Sequence, residues 1–142
     1  MEQLFNFINN HWDLFTALII ILVLLFASTL VNTIRGIKQI GPAEATRLIN
    51  HEDALVLDVR EDKEFAGGHI INSLHIPMAK VQDQLTKKLS KHKSSPIIVS
   101  CRSGARSNSV CGVLKKNGFE NVANLKGGLI AWQNANMPIN KK

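Results

Sequence analysis

Apolar and polar positions divide this chain into two unlike stretches. From Leu14 to Val31 the run LFTALIIILVLLFASTLV carries no charge, whereas beyond residue 37 short apolar runs alternate with amphipathic ones. Those eighteen residues, at about 1.5 Å rise each, make a helix of about 27 Å, close to the hydrocarbon thickness of a bilayer. Thr16, Ser28 and Thr29 fit such a helix because their hydroxyls can bond back to its carbonyls. The pattern predicts an N-terminal tail over 1–13, a transmembrane helix over 14–34 and one domain over 35–142. A cleaved signal peptide is disfavoured, since the N-terminal flank holds Glu2 and Asp13 but no Lys or Arg, and no small-x-small cleavage site follows the run.

The alternating part reads element by element. Lys38–Ile40 is a brief strand, and Gly41-Pro42 opens a helix with Ala45, Leu48 and Ile49 on one face. Ala54–Asp58 is a buried strand, and Glu61–Ala66 a short helix stopped by Gly67-Gly68. Ser73–Ile76 is a strand closed by Pro77. Val81–Leu89 reads as helix, with Val81, Leu85 and Leu89 four residues apart. Pro96–Ser100 is the clearest central strand, short and β-branched. A helix follows from Ala105 to Asn117, ended by Gly118. Asn121–Leu125 is the last strand and Leu129–Ala135 the last helix, carrying Trp132. This alternation predicts an α/β domain: a central, mostly parallel five-stranded sheet covered by helices on both faces, preceded by one transmembrane helix. In such sheets ligands bind beyond the carboxyl ends of the strands.

Charge changes the picture in one respect. All seventeen basic residues follow the apolar run, beginning with Arg35 and Lys38. The positive-inside rule then places the N-terminus outside and the domain in the cytoplasm. Without Glu2 and Asp13 the remainder carries a charge of +8, which an anionic lipid surface attracts. Nucleic acid is disfavoured as a partner, because the lysines are scattered with no aromatic interleaving. Two cysteines in a cytoplasmic domain make no disulfide framework, and no Cys or His spacing suggests a metal.

The candidate chemistry lies at Cys101, directly after the central strand and before a helix. The loop Cys101-Arg102-Ser103-Gly104-Ala105-Arg106 contains a glycine that lets the backbone curl, so that successive amides can point inward as an anion-binding nest. The following helix presents its positive end to the same point. Arg102 and Arg106 add positive charge, and Ser103 and Ser107 add hydroxyl donors. Each of these favours thiolate over thiol, which should bring Cys101 below the reference pKa of about 8.5.

The stretches Leu57-Asp58-Val59-Arg60-Glu61, Glu64-Phe65, Gly67-Gly68-His69-Ile70 and Ile76-Pro77 resemble the N-terminal signature of rhodanese domains. Val99-Ser100-Cys101-Arg102-Ser103-Gly104-Ala105-Arg106-Ser107 resembles their active-site loop. Gly118-Phe119, Val122 and Leu125-Lys126-Gly127-Gly128 with Trp132 resemble their C-terminal signature. The likeness covers roughly Ile37 to Pro138, and with the apolar run the chain is similar to the single-span rhodanese-like proteins of bacterial inner membranes. The resemblance implies a sulfurtransferase at the cytoplasmic face of that membrane. Cys101 would take sulfane sulfur from a thiosulfate-like or persulfide donor as a Cys101 persulfide, then pass it to a thiol or cyanide. Arg102, Ser103, Gly104, Ala105, Arg106 and Ser107 would bind the substrate, with Asp58 and Arg60 in support. No metal or organic cofactor is implied. Partners would be a small anionic donor, a thiol acceptor, the membrane, and other membrane proteins or a sulfur-carrier protein.

Two competing readings belong to other classes. An anchored docking module of the same fold would not need Cys101, Arg102 and Arg106 intact. Phosphatases and arsenate reductases share the cradle, but their loops are of the Cys-x5-Arg type. Cys101 to Arg106 is Cys-x4-Arg, a smaller ring that suits a sulfur atom better than a phosphoryl group. Cys111, in the following helix, reads as an ordinary buried cysteine.

Overall fold

The computed structural model describes residues 11–34 and 36–141, with side chains at 28–34 outside the description. The chain forms two units, Met1–Gly36 and Ile37–Lys142. The expected tail over 1–13 lies outside the described residues as far as residue 10.

Among the described residues the first unit holds one helix, α1 (Trp12–Ile34, 23 residues), with Asp13 in its first turn. Its large apolar side chains, Leu14 and Leu18 through Phe26, are exposed. The expected transmembrane helix over 14–34 is corrected: among the described residues no helix is long and apolar enough to cross a membrane. With the span go the inferences that depended on it: an N-terminus outside with the domain at the cytoplasmic face, placement in a bacterial inner membrane, and the membrane as a partner.

The second unit alternates strands and helices. In order these are β1 (Lys38–Ile40), α2 (Pro42–Glu52), β2 (Leu55–Asp58), α3 (Asp62–Ala66), β3 (His69–Ile70) and β4 (Leu74–His75). A 3₁₀ turn at Met78–Lys80, α4 (Val81–Gln84) and a second 3₁₀ turn at Ser90–His92 lead to β5 (Ile97–Ser100). Then come α5 (Ala105–Lys116), β6 (Val122–Leu125), α6 (Gly128–Asn134) and β7 (Ile139–Asn140). One sheet has the order β1-β6-β5-β2-β4 with every pair parallel. A separate antiparallel pair joins β3 to β7. The fold class is therefore corrected twice: the β-structure mixes parallel and antiparallel pairing, and no membrane-crossing helix is found ahead of it among the described residues. Two-residue strands such as β3 and β7 are too short to leave an alternation in the sequence.

The central strands β2, β5 and β6 are buried on both faces, and successive residues feed opposite cores. Leu57, Val59, Ile97 and Val99 pack with Val110 and Leu114 of α5 and with Val81, Leu85 and Leu89. Val56, Ile98, Ala123 and Leu125 pack with Ala45 and Leu48 of α2 and with Leu129 and Trp132 of α6. The helix expected over Val81–Leu89 is cut short. Beyond Gln84 the amides of Lys87, Lys88 and Leu89 all converge on the Gln84 carbonyl, three, four and five residues back, so the regular helical ladder stops. Leu85 and Leu89 are still buried, so the apolar spacing reported burial correctly and helix length wrongly.

Candidate active site

The carboxyl ends of β2, β5 and β6 lie side by side, and the segments leaving them build one site. Cys101 follows β5 directly and is 1% exposed. Its loop is closed by the Gly127-Gly128 turn after β6. Gly104 has φ +96°, and a Cβ there would sit 3.1 Å from the Gly127 amide nitrogen. A Cβ on Gly128 would collide with the Cys101 carbonyl oxygen. This close approach lets α6 hold the loop: the Leu129 N–H donates to the Cys101 carbonyl (2.8 Å) and the Ile130 N–H to the Arg102 carbonyl (3.2 Å).

Amides of the same loop face the sulfur. The Gly104 N–H donates to Cys101 Sγ at 3.1 Å, and the Ser107 hydroxyl lies 3.3 Å from it. Burial pushes the Cys101 thiol up, but the Ser107 hydroxyl and the amides of Ser107, Gly104 and Ser103 outweigh it, so the pKa falls below its ordinary value. Of the sources expected, the Ser107 hydroxyl and the loop amides are the main causes of the fall.

Each arginine has its own place. Arg106 forms a bidentate pair with Glu64 of α3, at 2.8 Å for both bonds. Hydrogen bonding to Arg106 is the main reason that Glu64 falls to about 2, against the opposing pull of burial, and the same pair raises Arg106. Glu64 also accepts the Glu61 N–H at 3.2 Å, as half of a capping box on α3. The Arg106 guanidinium is thus committed to the protein, and sequence reading had no means of pairing residues 42 positions apart. Arg102 is exposed and borders an open pocket of about 250 Å³ with Arg60, Glu64, Leu129, Ile130 and Gln133. A larger groove of about 590 Å³ opens beside Leu55 and Lys87. Neither Cys101 nor any residue of its loop lines that groove, whereas Arg102 of the loop lines the smaller pocket.

Asp58 and Arg60 are buried together. Arg60 Nη2 lies 2.7 Å from Asp58 Oδ2, and the guanidinium also donates to the carbonyls of Glu64 (3.0 Å) and Gly68 (2.7 Å). With its donors so occupied, this pair braces α3 and the following turn. Of the remaining loop residues, Ser103 and Ala105 are exposed, while Gly104 and Ser107 are buried. Sequence reading missed Asn124 and Gln39. Asn124 Oδ1 accepts the Ser107 hydroxyl at 2.6 Å, and its Nδ2 donates to the Gly104 carbonyl (3.1 Å) and Gln39 Oε1 (2.8 Å). A polar residue inside the fully buried strand VANL was the available signal. Cys111 is buried in α5, and burial pushes its thiol up to about 12. Among the described residues no group of His, Cys, Asp or Glu is arranged to hold a metal ion.

Residues 41–135 match the family of rhodanese-like domains. The chain belongs to the rhodanese-like domain family. Across 139 residues it is 35% identical to YibN of Escherichia coli K12, an uncharacterised protein, covering 98% of this chain and 97% of that one. It is 38% identical over 96 residues to the thiosulfate sulfurtransferase GlpE of Coxiella burnetii, covering 68% and 87% of the two chains. The structure of a rhodanese-like domain protein from Staphylococcus aureus superposes with a TM-score of 0.65 at 31% identity, covering 75% and 99%. The general chemistry is that of rhodanese-type sulfurtransferases, sulfane-sulfur transfer through a cysteine. The membrane-anchored type expected within this family is not upheld, because no described helix can cross a membrane.

Proposed function

We propose that this rhodanese-like domain, over residues 35–142, carries sulfane sulfur on Cys101 from a small anionic donor to a thiol acceptor. The Cys101 thiolate attacks the outer sulfur of a thiosulfate-like donor. The new S–S bond forms as the donor's S–S bond breaks, and the electron pair departs with sulfite. A thiolate acceptor, or cyanide in an assay, then attacks the outer sulfur of the persulfide and releases the Cys101 thiolate. The observation that supports this reading best is the Cys101 sulfur held by the Gly104 amide and the Ser107 hydroxyl at 3.1 and 3.3 Å. Such donors stabilise an anion on the cysteine without a separate base.

Within this proposal the loop residues divide the work. Amides of Ser103, Gly104 and Ser107 hold the anionic sulfur, and Ala105 continues the curl into α5. Arg102, free to face the pocket, orients the oxyanion end of the donor, whereas Arg106 keeps the loop on Glu64. Asp58 and Arg60 support the wall of the pocket. Thiosulfate is the donor to try first, as the substrate in the name of the Coxiella relative. The test is intact-mass analysis of the full chain after thiosulfate, with thiocyanate release measured on adding cyanide. One added sulfur atom, absent in Cys101→Ser, is the expected result. A folded wild-type chain that gains no sulfur and releases no thiocyanate overturns the reading.

A further inference from the structure

We propose that Asn124 is a positioning residue whose amide oxygen accepts the Ser107 hydroxyl hydrogen bond whenever the Cys101 sulfur is uncharged, and so favours the persulfide over the bare thiolate. The proposal rests on the reading of Cys101 as the sulfur-carrying nucleophile. Asn124 is 3% exposed and sits on β6 among Val122, Ala123 and Leu125. Its orientation is set by chemistry: the Gly104 carbonyl, 3.1 Å away, can only accept, so the NH₂ group must face it. The amide oxygen is thereby turned to Ser107, and it too can only accept.

Ser107 has one hydroxyl proton and two acceptors in reach, Asn124 Oδ1 at 2.6 Å and Cys101 Sγ at 3.3 Å. When Cys101 is a thiol, S–H donates to the Ser107 oxygen and Ser107 donates to Asn124, so every group is satisfied. When Cys101 is a thiolate, the Ser107 proton turns to the sulfur and the buried Asn124 oxygen loses its donor, which is unfavourable. On sulfur transfer the negative charge moves to the outer sulfur and Sγ becomes neutral. Ser107 can then return to Asn124, with no net proton transfer. The bare thiolate is thus the one state that leaves Asn124 unsatisfied.

The other charged or titratable groups around Cys101 are Arg102 in the loop, the Arg106–Glu64 pair of α5 and α3, the Asp58–Arg60 pair after β2, and Cys111 on α5. None is altered in the comparison that tests the proposal. The experiment measures, in the full chain, the pH dependence of Cys101 alkylation by iodoacetamide, assigned by peptide mass. It compares the wild type, Asn124→Leu, Ser107→Ala and the double variant, and also measures persulfide yield at equilibrium with thiosulfate and sulfite.

Asn124→Leu should lower the alkylation midpoint by about half to one pH unit and reduce persulfide yield roughly 3- to 10-fold above that midpoint. With Ser107→Ala already present, the same substitution should move neither. A raised midpoint, or an equal shift in both backgrounds, would mean that Asn124 only supports the loop and would overturn the proposal. If the Leu variant does not fold, Asn124→Ser, too short to reach Ser107, carries the same expected sign. A wild-type chain that forms no persulfide sinks the sulfurtransferase reading. One that forms it, beside an unshifted Asn124 profile, sinks this proposal alone.

Discussion

Cys101 and Cys111 are buried to nearly the same degree, at 1% and 0% exposure, and their thiols are driven in opposite directions. Cys111 lies on α5 within the core, where burial pushes its pKa up to about 12. Burial also pushes the Cys101 thiol up, but a hydroxyl and three amides surround it, and its pKa falls. Burial alone therefore predicts an inert thiol; the orientation of a few neighbouring donors decides otherwise. Those donors are oriented because α6 takes the loop's carbonyls, so that its N–H groups turn inward.

The strongest way to break this contrast is to exchange the roles of the two thiols. Cys101→Ser should reduce sulfur transfer at least about 10³-fold, while Cys111→Ala should leave it within a few-fold, both read as thiocyanate release. Comparable losses in two folded variants would put the nucleophile elsewhere. Next in size is Gly128→Ala. Its Cβ would collide with the Cys101 carbonyl and hold a φ of +56°, at a cost of about 2 kcal/mol or more. A lowered melting temperature and a loss of transfer above tenfold are expected; an unchanged loop would show that α6 does not set the cradle.

Alkali sharpens the contrast from the other side. The unfolded Cys111 thiol ionises near its ordinary 9.0, whereas the folded one stays neutral to about 12. A raised acid pKa gives a contribution that is fully present at low pH and declines between those values as pH rises, by about 1.4 kcal/mol per unit. Cys111→Ala should flatten that part of the denaturation profile. The smallest effect is expected at Glu64, lowered from 4.5 to about 2 chiefly by its hydrogen bonds to Arg106. Its contribution is present above 4.5 and lost as pH falls toward 2. Because the two side chains are 30% and 35% exposed, screening limits it to about 1 kcal/mol. Glu64→Gln should remove this acid-side slope in urea titrations, and an unaltered slope would show the pair to be idle.

What could be read beforehand was what is local. A β-branched run, a cysteine, a glycine and an amphipathic helix are contiguous, and β5, the loop and α5 lie within one residue of where that order places them. What could not be read depends on distant partners. Arg106 looks like a free anion binder until α3 brings Glu64 to it. Asn124 looks like one more strand residue until Ser107 and Gly104 close around it. The apolar run at the N-terminus shows a different limit, since composition alone led to a membrane span and to an orientation, location and partner built on it. The β3–β7 pair, two residues on each side, leaves no periodicity to read.

The bonds from Leu129 and Ile130 to the loop carbonyls also impose an order in time. Synthesis delivers the sulfur atom at position 101, but the donors that confine it are locked only by residues made later, from Asn124 to Ile130. A chain that stops short of α6 has the cysteine but lacks the bonds that hold its loop closed.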